Sequence, residues 1–167
     1  MRKTRILGQG LEVSAIGLGC MGMDHAYGAP ADREEMIKLI RHAVTLGCNF
    51  FDTAVVYGEA NEVLLGKALE IFPRDEVIIA TKFGIYGQEI VDGKPQNILN
   101  SKPDSIREQL EGSLKRLGVD YIDLYYQHRV DPEVEPEIVA SVMKELIAKG
   151  KIKHWGLSNA PLDYLKR

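Results

Sequence analysis

A chain of 167 residues, 45% hydrophobic and 27% charged, carries enough apolar material for one sizeable core. Its formal net charge of −3 gives no reason to expect nucleic acid or an anionic membrane as partner. The two cysteines, Cys20 and Cys48, are too few for a disulfide framework and read as buried free thiols. The basic N-terminal stretch lacks the apolar core of a signal peptide, and no apolar run reaches the ~20 residues of a membrane span, so the expected compartment is cytoplasmic.

In chain order, residues 4–6 and 11–13 around Gly8-Gln9-Gly10 read as a small hairpin. Residues 15–19 form the first of the predicted strands and run into Gly17-Leu18-Gly19-Cys20-Met21-Gly22. That stretch matches G-x-G-x-x-G, the turn with which a Rossmann fold sets a dinucleotide on a helix N-terminus. The context fails, because the following helix begins near Asp32, after an irregular stretch, and Gly22 does not open it. Asp32 and Glu35 have capping-box spacing; Met36, Ile40 and Ala43 then keep helical period until Gly47. The second strand, 49–52, ends on Asp52, and a short helix is expected over 62–71. The third strand, 77–82, ends on Lys82 and is followed by a long loop, 83–100, of the kind that usually carries function.

A third helix begins near Ser101, with Asp104 three residues on; its stripe is Ile106, Leu110, Leu114 and Leu117, and Gly118 ends it. The fourth strand covers 121–127 and meets His128. Residues 136–149 form a helix with Ile138, Val142 and Leu146 inward, and the fifth strand, 152–158, leads into the opening of another helix. Regular β-α alternation argues for a parallel sheet with helical crossovers.

Four polar residues, Asp52, Tyr57, Lys82 and His128, fall at or just beyond the C-terminal ends of these strands. A β/α barrel gathers its chemistry at that end, from residues far apart in sequence. Reducing a carbonyl requires a proton donor, and a phenol with its ordinary pKa of about 10 is a weak one. An ammonium beside it, Lys82, would stabilise the phenolate; Asp52 would balance the ammonium; His128 would orient the carbonyl oxygen or share in proton delivery. Singly, each has a plainer reading: Asp52 as a loop cap, Tyr57 as loop packing, His128 as a core histidine. Lys82 at the end of an apolar strand is the hardest to explain without a partner. The histidines His25, His42, His128 and His154 lack metal-ligand spacing, and no nucleophile elbow is present.

On these residues the chain resembles an aldo-keto reductase from its hairpin to residue 167. The most specific segment is Asp52-Thr53-Ala54-Val55-Val56-Tyr57-Gly58. Gly66-Lys67-Ala68-Leu69, Ala80-Thr81-Lys82, the run from Asp120 to His128, and Gly156-Leu157-Ser158-Asn159 support it. The resemblance implies a (β/α)8 TIM barrel and reduction of aldehydes and ketones, with Tyr57 as general acid and Asp52, Lys82 and His128 completing a tetrad. It implies NADPH, or less often NADH, with Ser158 and Asn159 on the nicotinamide carboxamide. Gly19, Cys20 and Met21, beside Asp52, would line the nicotinamide ribose. Gln127-His128-Arg129 followed by Asp131-Pro132 is similar to the bacterial and plant branch that reduces small or aromatic aldehydes. For Arg129 two roles stand open, a rim salt bridge and a substrate contact.

Barrels of this class need about 250 residues, so the expectation is a single partial domain over 1–167 holding about the first five β/α units. The remaining units would carry most contacts to the adenosine and its 2′-phosphate. Open strand edges invite self-association, and the partner is a missing C-terminal half or another copy. Two alternatives follow: a catalytically inactive barrel fragment that oligomerises through those edges, and a Rossmann-type dinucleotide-binding module.

Overall fold

The computed structural model describes residues 3–24, 28–29 and 31–167. The chain opens with the antiparallel hairpin β1 (Thr4–Leu7) and β2 (Leu11–Ser14), then β3 (Leu18–Gly19), α1 (Arg33–Thr45), β4 (Phe50–Asp52) and α2 (Glu59–Leu69). It continues through β5 (Ile78–Phe83), a second hairpin of β6 (Ile85–Val91) and β7 (Lys94–Leu99), α3 (Pro103–Leu117) and β8 (Ile122–Gln127). The last elements are α4 (Pro136–Ala148), β9 (Ile152–Leu157) and α5 (Leu162–Leu165). The five-stranded parallel sheet has the order β3-β4-β5-β8-β9, each strand beside its predecessor in the sheet. Sequential parallel strands with helices on one side are the arrangement of a β/α barrel, of which this sheet is the first part.

Alternation along the strands sorts the two faces. Phe51, Ile79, Phe83 and Tyr125 turn outward into one core with Ile40, Leu64, Leu65, Ile106, Leu110, Val139 and Met143 of the helices. Each such large side chain contributes about 1.5–3 kcal/mol on burial, well above the ~0–1 kcal/mol of an exposed ion pair, so this layer holds the helices to the sheet. Ala80 and Leu124, with Phe50, Ile78 and Tyr126 beside them, face the other way and pack on Leu7, Leu11 and Val13 of the first hairpin. The hairpin therefore plugs the inner face, and the C-terminal strand ends stay open.

Several boundaries differ from the sequence reading. The strand expected over 15–19 is only β3, since the Ala15 peptide N–H extends the hairpin by donating to the Lys3 carbonyl at 2.9 Å. α2 begins at Glu59, directly after Gly58, rather than at Glu62. α3 begins at Pro103, a residue pre-set for a first turn; Ser101 is not its cap but is drawn to Asp131, whose Oδ2 accepts its peptide N–H at 2.8 Å. In α4 the buried stripe is Val139, Val142, Met143 and Leu146, while Ile138 is 44% exposed. Ile138-Val139 left the helical phase ambiguous, and Met143 decides it. Asp32 does cap α1, accepting the Glu35 peptide N–H at 3.0 Å.

The long loop expected over 83–100 is the β6–β7 hairpin. Asp92 (φ 51°) and Gly93 (φ 74°) form its two-residue turn, with both φ values positive as a type I′ turn requires. The Rossmann alternative is overturned: Gly22 lies in the 3-10 turn Met21–Met23, and the next α-helix starts at Arg33. Such a sheet also has no switch point where a dinucleotide would cross. Cys20 is buried as expected, but Cys48 is only half-buried. His25 lies outside the described residues; among the described residues no cluster of His, Cys, Asp or Glu is placed to hold a metal, and no helix is long and apolar enough to cross a membrane.

Candidate active site

Asp52 is the last residue of β4, Lys82 stands near the end of β5, and His128 directly follows β8. They share strand parity with Phe50, with Ile78 and Ala80, and with Leu124 and Tyr126, so all three side chains belong to the inner face. Tyr57 ends the 3-10 turn Val55–Tyr57 that leaves β4.

The Lys82 ammonium ties the group together. An ammonium has three donors, and three acceptors meet it: Asp52 Oδ1, the Thr53 carbonyl at 2.8 Å and Tyr57 Oη at 3.3 Å. Lys82 is 8% exposed, so its charge needs an anion close by; the Asp52 carboxylate provides it while remaining 33% exposed to the open face. The Tyr57 and His128 rings meet edge-on, centroids 5.9 Å apart and planes at 87°. The His128 peptide N–H donates to the Phe83 carbonyl at 2.8 Å, which pins the start of its loop to the end of β5.

Burial, then the positive charges of Lys82 and Arg129, push the His128 imidazole down to about 4. At neutral pH it is an uncharged ring with one N–H donor and one acceptor. The Cys20 thiol is pushed up to about 12, by burial first and by Asp52 second, and stays protonated. Burial likewise raises the Tyr126 phenol, with Asp52 adding to the effect.

The residues expected on the cofactor side are gathered less tightly. Gly19 pairs with Asp52 across the sheet, and the Cys20 peptide N–H donates to the Asp52 carbonyl at 2.8 Å. No atom lies within 4 Å of where a Cβ on Gly19 would stand, so the space before it is open. The Cys20 side chain is buried, and Met21 begins the following 3-10 turn. The Ser158 peptide N–H donates to the Gln127 carbonyl at 3.0 Å, and Asn159 is exposed in the left-handed region at φ 55°. A cavity of about 510 Å³ joins Gly19, Asp52, Lys82, Tyr126 and Ser158 along the inner face. Cys20, Met21 and Asn159 do not line it.

Of the two roles open for Arg129, the rim salt bridge is not what the geometry gives. Among the described residues it has no ion pair; its Nη1 donates to the His128 carbonyl at 2.6 Å and to Ser158 Oγ at 3.4 Å. The neighbouring motif residues brace the loop: Gln127 reaches the Ser101 hydroxyl at 3.2 Å and receives the Tyr164 hydroxyl at 2.9 Å. Asp131 accepts the peptide N–H of Ser101 and, at 2.9 Å, that of Glu133.

Sequence reasoning missed the polar residues behind the site. Glu62, fully buried, accepts Thr81 Oγ1 at 2.7 Å and Arg116 Nε at 2.6 Å. Asn61, also fully buried, bonds to Thr53, Cys20 and Asp24. The available signal was a polar pair, Asn61-Glu62, inside a helix otherwise rich in buried apolar residues such as Leu64 and Leu65.

A model of the Aldo/keto reductase family matches residues 15–167. The chain is 48% identical over 160 residues to a probable aldo-keto reductase of Glycine max, covering 95% of this chain and 45% of that protein. It superposes on the holo form of an aldo-keto reductase from Bacillus halodurans with TM-score 0.84 and 33% identity, over 100% of this chain and 55% of that one. A Klebsiella pneumoniae aldo-keto reductase solved with NADPH gives TM-score 0.80 at 29% identity, over 99% and 52%. The chain thus spans about half the length of the relatives it matches.

Proposed function

We propose that this chain, which belongs to the aldo/keto reductase family, carries the proton-delivery half of an NADPH-dependent reduction of aldehydes and ketones. The observation that carries the reading is the Lys82 ammonium, whose three donors are spent on Asp52, Thr53 and Tyr57. Because the Tyr57 oxygen accepts from Lys82, its own O–H proton is the one it passes to a carbonyl oxygen. Lys82 then stabilises the phenolate left behind, and Asp52 balances the ammonium's charge in its buried position. The neutral His128 imidazole, edge-on to Tyr57, donates a hydrogen bond that orients the carbonyl oxygen.

The inner face suits a nicotinamide. Open space before Gly19 leaves room for a flat group, and the Ser158 hydroxyl with the Asn159 amide offers the mixed donors and acceptors a carboxamide needs. The cofactor, when bound, supplies the hydride to the carbonyl carbon. The NADPH complex of the Klebsiella relative supports NADPH over NADH. Gln127 and Asp131, occupied in bracing the loop, hold His128 and Arg129 in place and do not contact substrate.

The test is NADPH consumption with a panel of small aliphatic and aromatic aldehydes, alongside NADPH fluorescence titration. Tyr57→Phe should lower turnover by about 10²–10⁴-fold, the usual share of a positioned acid, with cofactor affinity unchanged. A Tyr57→Phe protein that keeps the wild-type rate removes the phenol from the chemistry and with it this reading.

A further inference from the structure

Asn61 stands in the first turn of α2, its peptide N–H donating to the Gly58 carbonyl at 3.1 Å, and its side chain is fully buried. Its carboxamide bonds on both sides. Oδ1 accepts Thr53 Oγ1 at 2.7 Å; Nδ2 donates to the Cys20 carbonyl at 2.9 Å and to Asp24 Oδ2 at 3.1 Å. These partners admit one orientation of the amide, since a flip would turn an oxygen toward a carbonyl and a carboxylate. The two tethered segments are those that build the site. Thr53 supplies the carbonyl that accepts from Lys82, and Cys20 supplies the N–H that donates to the Asp52 carbonyl.

We propose that Asn61 is a positioning residue that sets the proton-delivery group and the backbone of Gly19, Cys20 and Met21 in one register through a single buried amide. The proposal rests on the reading of the site as a carbonyl reductase. Asn61 touches neither Tyr57 nor Lys82. It acts through Thr53 on one side and through Cys20 on the other, so its loss reaches both proton transfer and cofactor binding. The two effects separate by atom. Removing the Thr53 hydroxyl cuts only the link toward Lys82. Exchanging Nδ2 for a carboxylate oxygen keeps an acceptor for Thr53 while setting like dipoles and charge against Cys20 and Asp24.

The experiment compares Asn61→Ala, Asn61→Asp and Thr53→Val in the purified protein, at a temperature well below the melting point of each. It reads kcat for aldehyde reduction, NADPH affinity by fluorescence, and amide exchange over residues 20–24 and 52–57. Asn61→Ala should lower kcat and NADPH affinity together, each by about five- to tenfold, the worth of a hydrogen bond. Asn61→Asp should weaken NADPH by a similar factor with a smaller loss of kcat, and Thr53→Val should lower kcat while leaving NADPH affinity near wild type. Thr53→Val, which trades a hydroxyl for a methyl, keeps the test open if Asn61→Ala does not fold. Folded variants with wild-type kcat and affinity, or three variants losing both in equal proportion, overturn the proposal. A wild-type protein that neither binds NADPH nor reduces aldehydes refutes the carbonyl-reductase reading on its own. Amide exchange then decides the coupling: joint deprotection of both segments in Asn61→Ala supports it, and a change confined to one segment sinks it.

Discussion

The uncharged His128 makes the stability of the folded chain depend on pH. Unfolded, an imidazole takes up a proton below about 6.5; in the folded chain burial, Lys82 and Arg129 hold that uptake back to about 4. Between those values the unfolded state binds more protons than the folded one, so stability rises with pH through this window. The contribution is complete above about pH 7 and is lost as pH falls from about 6.5 toward 4. At about 1.36 kcal/mol per pH unit the ceiling is about 3 kcal/mol, and about 2 kcal/mol should be gone by pH 5. The assay is urea denaturation from pH 7.5 down to 5, comparing wild type with His128→Asn. Stopping at pH 5 stays above the ordinary carboxylate range and above Glu145, which Arg107 and Lys149 hold down at about 2. A constant offset of the variant from wild type is immaterial; the slope, not the offset, carries the information. Wild type should fall steeply below pH 6.5 and the variant should not. Parallel curves would mean that the folded imidazole takes up its proton normally, and the neutral donor assigned to His128 would go with it.

Two further perturbations test the frame around the site. Arg116→Met leaves the Glu62 carboxylate fully buried with Thr81 as its remaining partner, and breaking a buried pair from one side costs about 3–5 kcal/mol; the urea midpoint should drop accordingly, and a shift under 1 kcal/mol would show that water reaches Glu62. Gly93→Ala places a side chain at φ 74° in otherwise open space, so the cost is backbone strain of about 1–2 kcal/mol. That cost should appear as faster amide exchange across β6 and β7 with the global melting point little changed; a large global loss would mean the hairpin is part of the main folding unit.

What was legible in the sequence follows from which signals are local. Asp52, Lys82 and His128 could be placed because each ends a short apolar run, and strand alternation then fixes the face. The α3 stripe of Ile106, Leu110, Leu114 and Leu117 is buried as its period requires. The β6–β7 hairpin was not seen because its strands, rich in Gln88, Glu89, Gln96 and Asn97, have no apolar alternation; only Asp92-Gly93 announced it. Cys48 sits where a helix end meets a strand, and sequence gave no measure of how closely the two approach. Glu62 and Arg116 lie 54 residues apart on different helices, so no spacing rule links them.

Two buried charge pairs, Glu62–Arg116 and Asp52–Lys82, meet neighbouring residues of one strand on its opposite faces, and their difference in exposure explains their different work. Thr81 and Lys82 are neighbours in β5, so alternation sends Thr81 outward to Glu62 and Lys82 inward to Asp52. On the outer side the Glu62 side chain is wholly buried and Arg116 is 18% exposed, joining α2 to α3 over the strand. The Glu62 carboxylate is sealed from solvent, and the pair's role is to hold β5 in place. On the inner side Asp52 remains a third exposed and Lys82 is turned toward a phenol at 3.3 Å. A charge pair left partly open beside a proton donor can respond to what binds there, while a sealed one cannot. The strand end that carries Lys82 is thus fixed from behind by Glu62 and left able to act in front. Such stiffness is what a proton donor requires if its distance to a carbonyl oxygen is to stay within hydrogen-bond reach.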